Sequence, residues 1–171
     1  MGNPFHLTDE VCRRLKDCGC VRYQMSIDGL EETHDWFRKP DSYKTTLDKV
    51  AMLNGAGIRS IIMTTVSDKN IDEVPQIIDA VVVAGAKVYA FARYCPTSEE
   101  KNTNITPQRY RELLAECDRK FRAMRKPDAR PISIAKTTSG RSMIMKKDDS
   151  LYQEGAEPDL IYGGCNCGQR I

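Results

Sequence analysis

An α/β fold built on a parallel sheet follows from three features of the chain. β-rich runs alternate with helix-spaced runs, the middle β-rich run is mostly apolar, and cap and turn residues fall at the junctions. The 171 residues suit one ordinary globular domain.

Thr8 can cap a short helix carrying Val11, Leu15 and Lys16, and Cys18-Gly19-Cys20 leads out of it. Residues 21–27 form a β-rich run that ends at the turn pair Asp28-Gly29. After a polar stretch, residues 42–54 read as a helix, with Leu47, Val50, Met52 and Leu53 at partial helical spacing and Gly55 and Gly57 just past its end. Residues 60–66 are a mostly apolar run, the signature of a strand buried on both faces. Asn70 or Asp72 can cap a helix running to about residue 84, which Gly85 ends. Residues 87–94 give a third strand. Thr106-Pro107 then opens a helix to about Met124, with Thr at the cap and Pro at the first helical position. Such alternation implies right-handed crossovers between parallel strands. Past Lys126 it breaks down: Pro127, Pro131, Ser139-Gly140 and the charged run 146–149 mark a loop-rich region with one short strand expected at 132–135.

Composition removes several function classes. Lys and Arg number 26 against 24 Asp and Glu, so no general polyanion-binding surface and no nucleic-acid partner is expected. The longest wholly apolar run, 80–84, is five residues long, far below the roughly 20 that cross a bilayer. Hydrophobic residues at 40% and charged residues at 29% argue against a disordered or fibrous chain. The opening Met1-Gly2-Asn3-Pro4 has neither the basic nor the apolar region of a signal peptide. The expected location is cytoplasmic, where the seven cysteines stay reduced and clustered thiols point to metal or redox chemistry.

In parallel α/β folds, ligands sit at the carboxyl ends of the strands. Those ends here are Ser26-Ile27-Asp28-Gly29, Thr64-Thr65-Val66-Ser67 and Arg93-Tyr94-Cys95-Pro96. Small hydroxyls and an arginine suit a polar ligand with a carboxylate and ribose hydroxyls. They suit equally well the satisfaction of the turns that follow. A phosphate-binding α/β domain is disfavoured, since no glycine-rich phosphate loop follows any strand.

Ser26-Ile27-Asp28-Gly29, then His34-Asp35 and Arg38, resemble the fourth-strand signature of radical S-adenosylmethionine enzymes. Residues 44–58 resemble the helix before the fifth strand of that family, Thr64-Thr65-Val66 and Asn70 its end, and residues 91–96 the sixth strand. Gly164-Cys165-Asn166-Cys167-Gly168 resembles the first cysteine segment of a SPASM domain, the auxiliary-cluster extension of anaerobic sulfatase maturases and peptide-modifying members. The resemblance covers about residues 5–125 and resumes near 160.

The resemblance implies an open (β/α)6 partial barrel of the TIM type and [4Fe–4S] and S-adenosylmethionine cofactors. It further implies an oxidoreductase or maturase that makes a 5′-deoxyadenosyl radical to modify a peptide or protein. It assigns Ser26 to the ribose or methionine part of S-adenosylmethionine, Arg38 to its carboxylate, and Thr64, Thr65 and Arg93 to the cavity lining. Cys165 and Cys167 become metal ligands, two of the four a cluster normally needs; no catalytic residue is assigned. A guanidinium can clamp a carboxylate bidentately, which agrees with the Arg38 role. Asp28 reads more simply as part of an Asx-type turn, and His34 and Asp35 as groups that cap or orient the Arg38 loop.

The family's Cys-x3-Cys-x2-Cys motif is missing, as is its glycine-rich segment after the second strand. Cys12, Cys18 and Cys20 have the wrong spacing and read as helix, turn and core thiols. The expectation is therefore a later half-barrel over residues 1–126 and a connection into the cysteine segment over 127–171. Such a piece binds neither cofactor stably alone and exposes the edge of its first strand to self-association. The alternative is a non-catalytic binding module retaining half of the barrel.

Overall fold

The computed structural model describes residues 2–94 and 105–124. A 3-10 turn, Pro4–His6, precedes α1 (Asp9–Asp17), β1 (Arg22–Ser26), α2 (Glu31–Phe37), α3 (Ser42–Gly55) and β2 (Arg59–Val66). A second 3-10 turn, Ile71–Glu73, leads to α4 (Val74–Val83), β3 (Val88–Arg93) and α5 (Pro107–Met124). The strands form one sheet in the order β1-β2-β3, all parallel. The α/β class and the parallel pairing are as the alternation predicts. Three strands with their helices are consistent with part of a barrel.

The register decides which side chains meet the helices. Met25 pairs with Ile62, and Ile62 with Tyr89. Side chains at paired positions of a parallel sheet share a face. Ser60, Ile62, Thr64 and Val66 alternate as buried residues along β2, while Ile61 and Met63 are half-buried and Thr65 is exposed. The buried set packs in one core with Val50 and Leu53 of α3, Ile77, Ile78 and Val81 of α4, and Leu113, Leu114 and Cys117 of α5. One face of the sheet is thus the helix-packed face. Ser26, Met63 and Thr65 belong to the other. Helices α3, α4 and α5 form because their apolar residues have this face to bury; each large aliphatic side chain removed from water contributes about 1.5–3 kcal/mol.

Several local signals act as predicted. Thr8 Oγ1 accepts the Val11 amide at 3.2 Å, capping α1. Thr106 Oγ1 accepts the Arg109 amide at 3.2 Å, capping α5. Others act differently. The polar stretch after β1 contains α2, whose first residues have no cap of their own. Glu73, more than 40 residues on, supplies it: Oε2 accepts the Leu30 amide at 2.6 Å and Oε1 the Thr33 hydroxyl at 2.6 Å. Asp35 serves the next helix, accepting the amides of Asp41 at 2.7 Å and Tyr43 at 2.8 Å and the Ser42 hydroxyl at 3.2 Å. Those bonds hold Asp41 in the left-handed region, φ 62°, which few residues other than Gly, Asn and Asp enter. Asn70 does not cap α4, as the sequence suggested; its side chain turns back toward the sheet.

The free edge of β1 is partly occupied by the chain itself. The Gly2 amide donates to the Gln24 carbonyl at 2.8 Å. A Cβ at Gly2 would lie 2.0 Å from the Tyr23 ring, so any other residue there would have to push that ring aside. Cys95, Cys165, Cys167 and the short strand expected at 132–135 lie outside the described residues.

Candidate functional site

The carboxyl ends of the strands are joined by one polar network centred on Asp28. Asp28 follows β1, where the chain leaves the sheet, and is only 5% exposed. Its Oδ2 accepts Arg38 Nε at 2.8 Å and Nη2 at 2.5 Å, and its Oδ1 accepts the Thr65 amide at 2.8 Å. Its amide donates to His34 Nδ1 at 2.9 Å, and its carbonyl accepts from Asn70 Nδ2 at 2.6 Å. A buried carboxylate needs this many partners, because an unpaired charge away from water is costly. Asp28 is thus more than the turn residue its Asp-Gly context suggests.

Asn70 is the second node. Buried, it donates Nδ2 to the carbonyls of Asp28 and Thr65, at 2.6 and 2.9 Å, and its Oδ1 accepts the Ser67 amide at 2.7 Å. It therefore ties the exit of β1 to the exit of β2. Gly29 lets α2 close over this node: a Cβ there would sit 2.6 Å from Thr33 side-chain carbons and 2.9 Å from the His34 amide nitrogen. Burial holds His34 below the ordinary histidine range, with Asp28 and Asp35 opposing that shift and Arg38 adding to it. The imidazole is accordingly neutral at neutral pH.

Two cavities flank the network. The first, about 460 Å³, is lined by Ser26, His34, Arg38, Lys39, Ser42 and Thr46 among others. The second, about 390 Å³, is lined by Asp28, Phe37, Arg38, Thr65, Lys69 and Tyr94 among others. Arg38 stands between them with its side chain 46% exposed. Both volumes fall in the range of small-molecule sites. Beside the second cavity, Trp36 meets Phe37 edge-on at 5.0 Å and carries the Lys69 ammonium 4.3 Å from its ring.

The sequence-predicted residues divide between the two faces. Ser26 and Arg38 meet at the first cavity, and Thr65 and Arg38 at the second. Thr64 is fully buried on the helix-packed face. Its hydroxyl donates to the Ile27 carbonyl at 2.6 Å and accepts from Tyr89 Oη at 2.9 Å. Burial raises the Tyr89 phenol far above its ordinary range, so it remains a donor. Arg93 pairs in register with Val66, on the same face; it donates to the Ile105 carbonyl and lies 6.0 Å from the Tyr110 ring. Asp28, Asn70 and Glu73 carry no site assignment in the sequence reading. The signals for them were an acidic–basic pair within the polar stretch and an Asn following a Thr-Thr strand end.

The two implied cofactors fare differently. Hydroxyl, imidazole and guanidinium groups around the first cavity fit the carboxylate end of an amino-acid-like ligand. A cluster is not accommodated: among the described residues, no group of three or more His, Cys, Asp or Glu could hold a metal ion. Cys12 is buried, with burial raising its thiol pKa, Cys18 is exposed, and Cys20 Sγ donates to the Arg22 carbonyl at 3.3 Å. No helix among the described residues is long and apolar enough to cross a membrane.

Residues 3–81 match the model of the Radical SAM superfamily. The chain is 32% identical over 111 residues to the AdoMet-dependent heme synthase of Methanosarcina barkeri, covering 63% of this chain and 32% of that protein. It is 32% identical over 88 residues to the sporulation killing factor maturation protein SkfB of Bacillus subtilis, covering 51% of this chain and 22% of that protein. The matched region spans about a third and about a fifth of the length of these relatives. The matched stretch contains β1, α2, α3 and β2 with the Asp28–Arg38–Thr65 network, and it is in these residues that the chain is similar to the Radical SAM superfamily.

Proposed function

We propose that this chain is the later part of a radical S-adenosylmethionine barrel, and that its strand ends hold the methionyl end of the cofactor. One observation carries the reading: Asp28 fixes Arg38 through Nε and Nη2 beside Ser26, at the mouth of a cavity of about 460 Å³. Held this way, Arg38 presents its remaining Nη1 without a search over rotamers, which lowers the entropic cost of binding a carboxylate. Ser26 offers a hydroxyl to the same region, or to a ribose oxygen. Thr65 borders the second cavity from the exposed face of β2. Thr64 and Arg93 act one layer back, tying the strand ends to the helices.

Ser26 and Arg38 would hold the methionyl end of S-adenosylmethionine, which, with an electron from an iron–sulfur cluster, would supply radical hydrogen-abstraction chemistry toward a substrate. The ligands of that cluster would lie outside residues 2–94 and 105–124. Cys165 and Cys167 would be two ligands of a SPASM-type extension. A peptide or protein substrate is supported by the likeness to the sporulation killing factor maturation protein. Exposed Phe37 lines the second cavity, with exposed Trp36 edge-on against it, where such a substrate would approach.

The reading is tested by equilibrium dialysis of labelled S-adenosylmethionine against the full chain, at ligand concentrations high enough to register the weak binding expected of a part of the barrel without its cluster. Arg38→Ala should weaken binding at least tenfold and Ser26→Ala about threefold, in line with a charged and a neutral hydrogen bond respectively. Equal affinities across the three proteins would favour the binding-module alternative with some other ligand.

A further inference from the structure

His34 is 1% exposed, yet it lines the first cavity with Ser26 and Arg38. Its ring has one nitrogen committed, because Nδ1 accepts the Asp28 amide at 2.9 Å. An N–H can only donate, so Nδ1 carries no proton and the neutral ring carries it on Nε2. Among the described residues, no acceptor stands within hydrogen-bonding distance of that Nε2–H. Nε2 is not among the fully buried polar atoms that lack a partner, so its N–H opens on the cavity, where water or a ligand can accept it. The charged groups around the ring are Asp28, Asp35 and Arg38. Both carboxylates are already taken, Asp28 by Arg38 and Thr65 and Asp35 by the start of α3.

We infer that His34 is a third donor to the ligand of this cavity, giving its Nε2–H to an oxygen of the carboxylate that Ser26 and Arg38 also serve. The inference rests on the proposed cofactor reading and adds to it a residue with a defined tautomer. Asp28 then organises both donors: its carboxylate aims Arg38, and its amide fixes the proton of His34 on the cavity side. A carboxylate has about four lone-pair sites, enough for a guanidinium nitrogen, a hydroxyl and an imidazole N–H together.

The chain has two histidines, His6 and His34, so nitrogen-15 labelling of the imidazoles gives a simple spectrum. In the ligand-free full chain, His34 should be neutral with its proton on Nε2. S-adenosylmethionine should then shift the Nε2–H resonance, leaving Nδ1 nearly still. Two substitutions separate the nitrogens. Asn places an amide oxygen near the Nδ1 position and removes the cavity donor; Gln places an amide N–H near the Nε2 position. His34→Asn should weaken S-adenosylmethionine about five- to tenfold, and His34→Gln about twofold or less. A proton found on Nδ1 overturns the inference. So does ligand binding that depends on Arg38 while both His34 nitrogens stay unmoved; the Ser26–Arg38 reading would survive that result. Failure of the unsubstituted chain to bind S-adenosylmethionine even at ligand concentrations that register weak binding removes the reading and the inference together.

Discussion

Replacing Asp28 by Asn keeps the shape of the side chain and removes its charge. The amide oxygen can still accept from Thr65, but an NH2 group now faces the two Arg38 donors. Two charge-assisted hydrogen bonds are lost, each worth about 1.5–3 kcal/mol. They share one oxygen and are not additive, and the Arg38 side chain is 46% exposed, so water takes over part of its hydration. The expected loss is about 2–3 kcal/mol of unfolding free energy, or roughly 5–10 °C in Tm for a chain of this size. Arg38→Ala leaves the carboxylate, 8% exposed, with the Thr65 amide alone, costing about 1–2 kcal/mol once partial hydration is allowed. The double variant should show a coupling of about 1–2 kcal/mol between the two positions. Urea unfolding of the four proteins, followed by circular dichroism, measures all three quantities. A coupling below about 0.5 kcal/mol would show that the two side chains do not act as a pair, and the fixed guanidinium on which the proposed carboxylate site depends would be gone.

Asn70→Ala should cost about 2–4 kcal/mol, because it strands the carbonyls of Asp28 and Thr65 and the Ser67 amide at once; Asn70→Asp, which keeps only the acceptor, should lie close to it in urea unfolding. Gly29→Ala should destabilise by about 1–3 kcal/mol through the contact with Thr33 and the His34 amide, and should also move the His34 imidazole resonances. Cys18 is exposed while Cys12 and Cys117 are buried, the Cys117 thiol pushed up to about 12 by its surroundings; pulse alkylation read by mass spectrometry should therefore label Cys18 in the native chain and the other two only on unfolding.

The sheet and most helices were legible because their signals are local. Residues 60–66 are mostly apolar, although β2 is buried on one face and not on both as that run suggested, and Thr8 and Thr106 precede their helices in plain sequence. Helix α2 was not, because residues 31–37 have no cap and no apolar stripe. What forms that helix is a carboxylate at position 73, brought there by the β2–α4 crossover. The candidate site was legible in part. Ser26 and Arg38 stand out by their resemblance to a family motif, and the fold brings both to one cavity. Asp28 was read from its Gly neighbour as a turn, since its partners at positions 38 and 65 are invisible to any local rule. Asn70 was read as a cap for the same reason: its partners lie behind it on two strands, while cap rules look only forward.

The parity of the strands divides Thr64 from Thr65, which sequence alone treats as equivalent. Successive residues of a strand face opposite ways, so one of two adjacent threonines must join the helix-packed core. There its hydroxyl bridges Ile27 and Tyr89, a use that excludes contact with a ligand but fixes the level at which β1 ends. The other keeps its side chain exposed and lends its amide to Asp28. The pair therefore links core and rim through consecutive residues.

The linkage has a pH signature. Burial lowers the His34 pKa in the folded state below its ordinary 6.5, so the unfolded chain binds the proton more readily. The stabilising contribution is complete above about pH 6.5 and is lost as pH falls through that value, until the folded pKa is reached. His34→Gln removes this slope, and the difference in unfolding free energy between wild type and variant should narrow between pH 7.5 and pH 5.5. A difference that stays constant over that range would mean the imidazole titrates alike in both states, and that neither its burial nor its bond to Asp28 governs its proton.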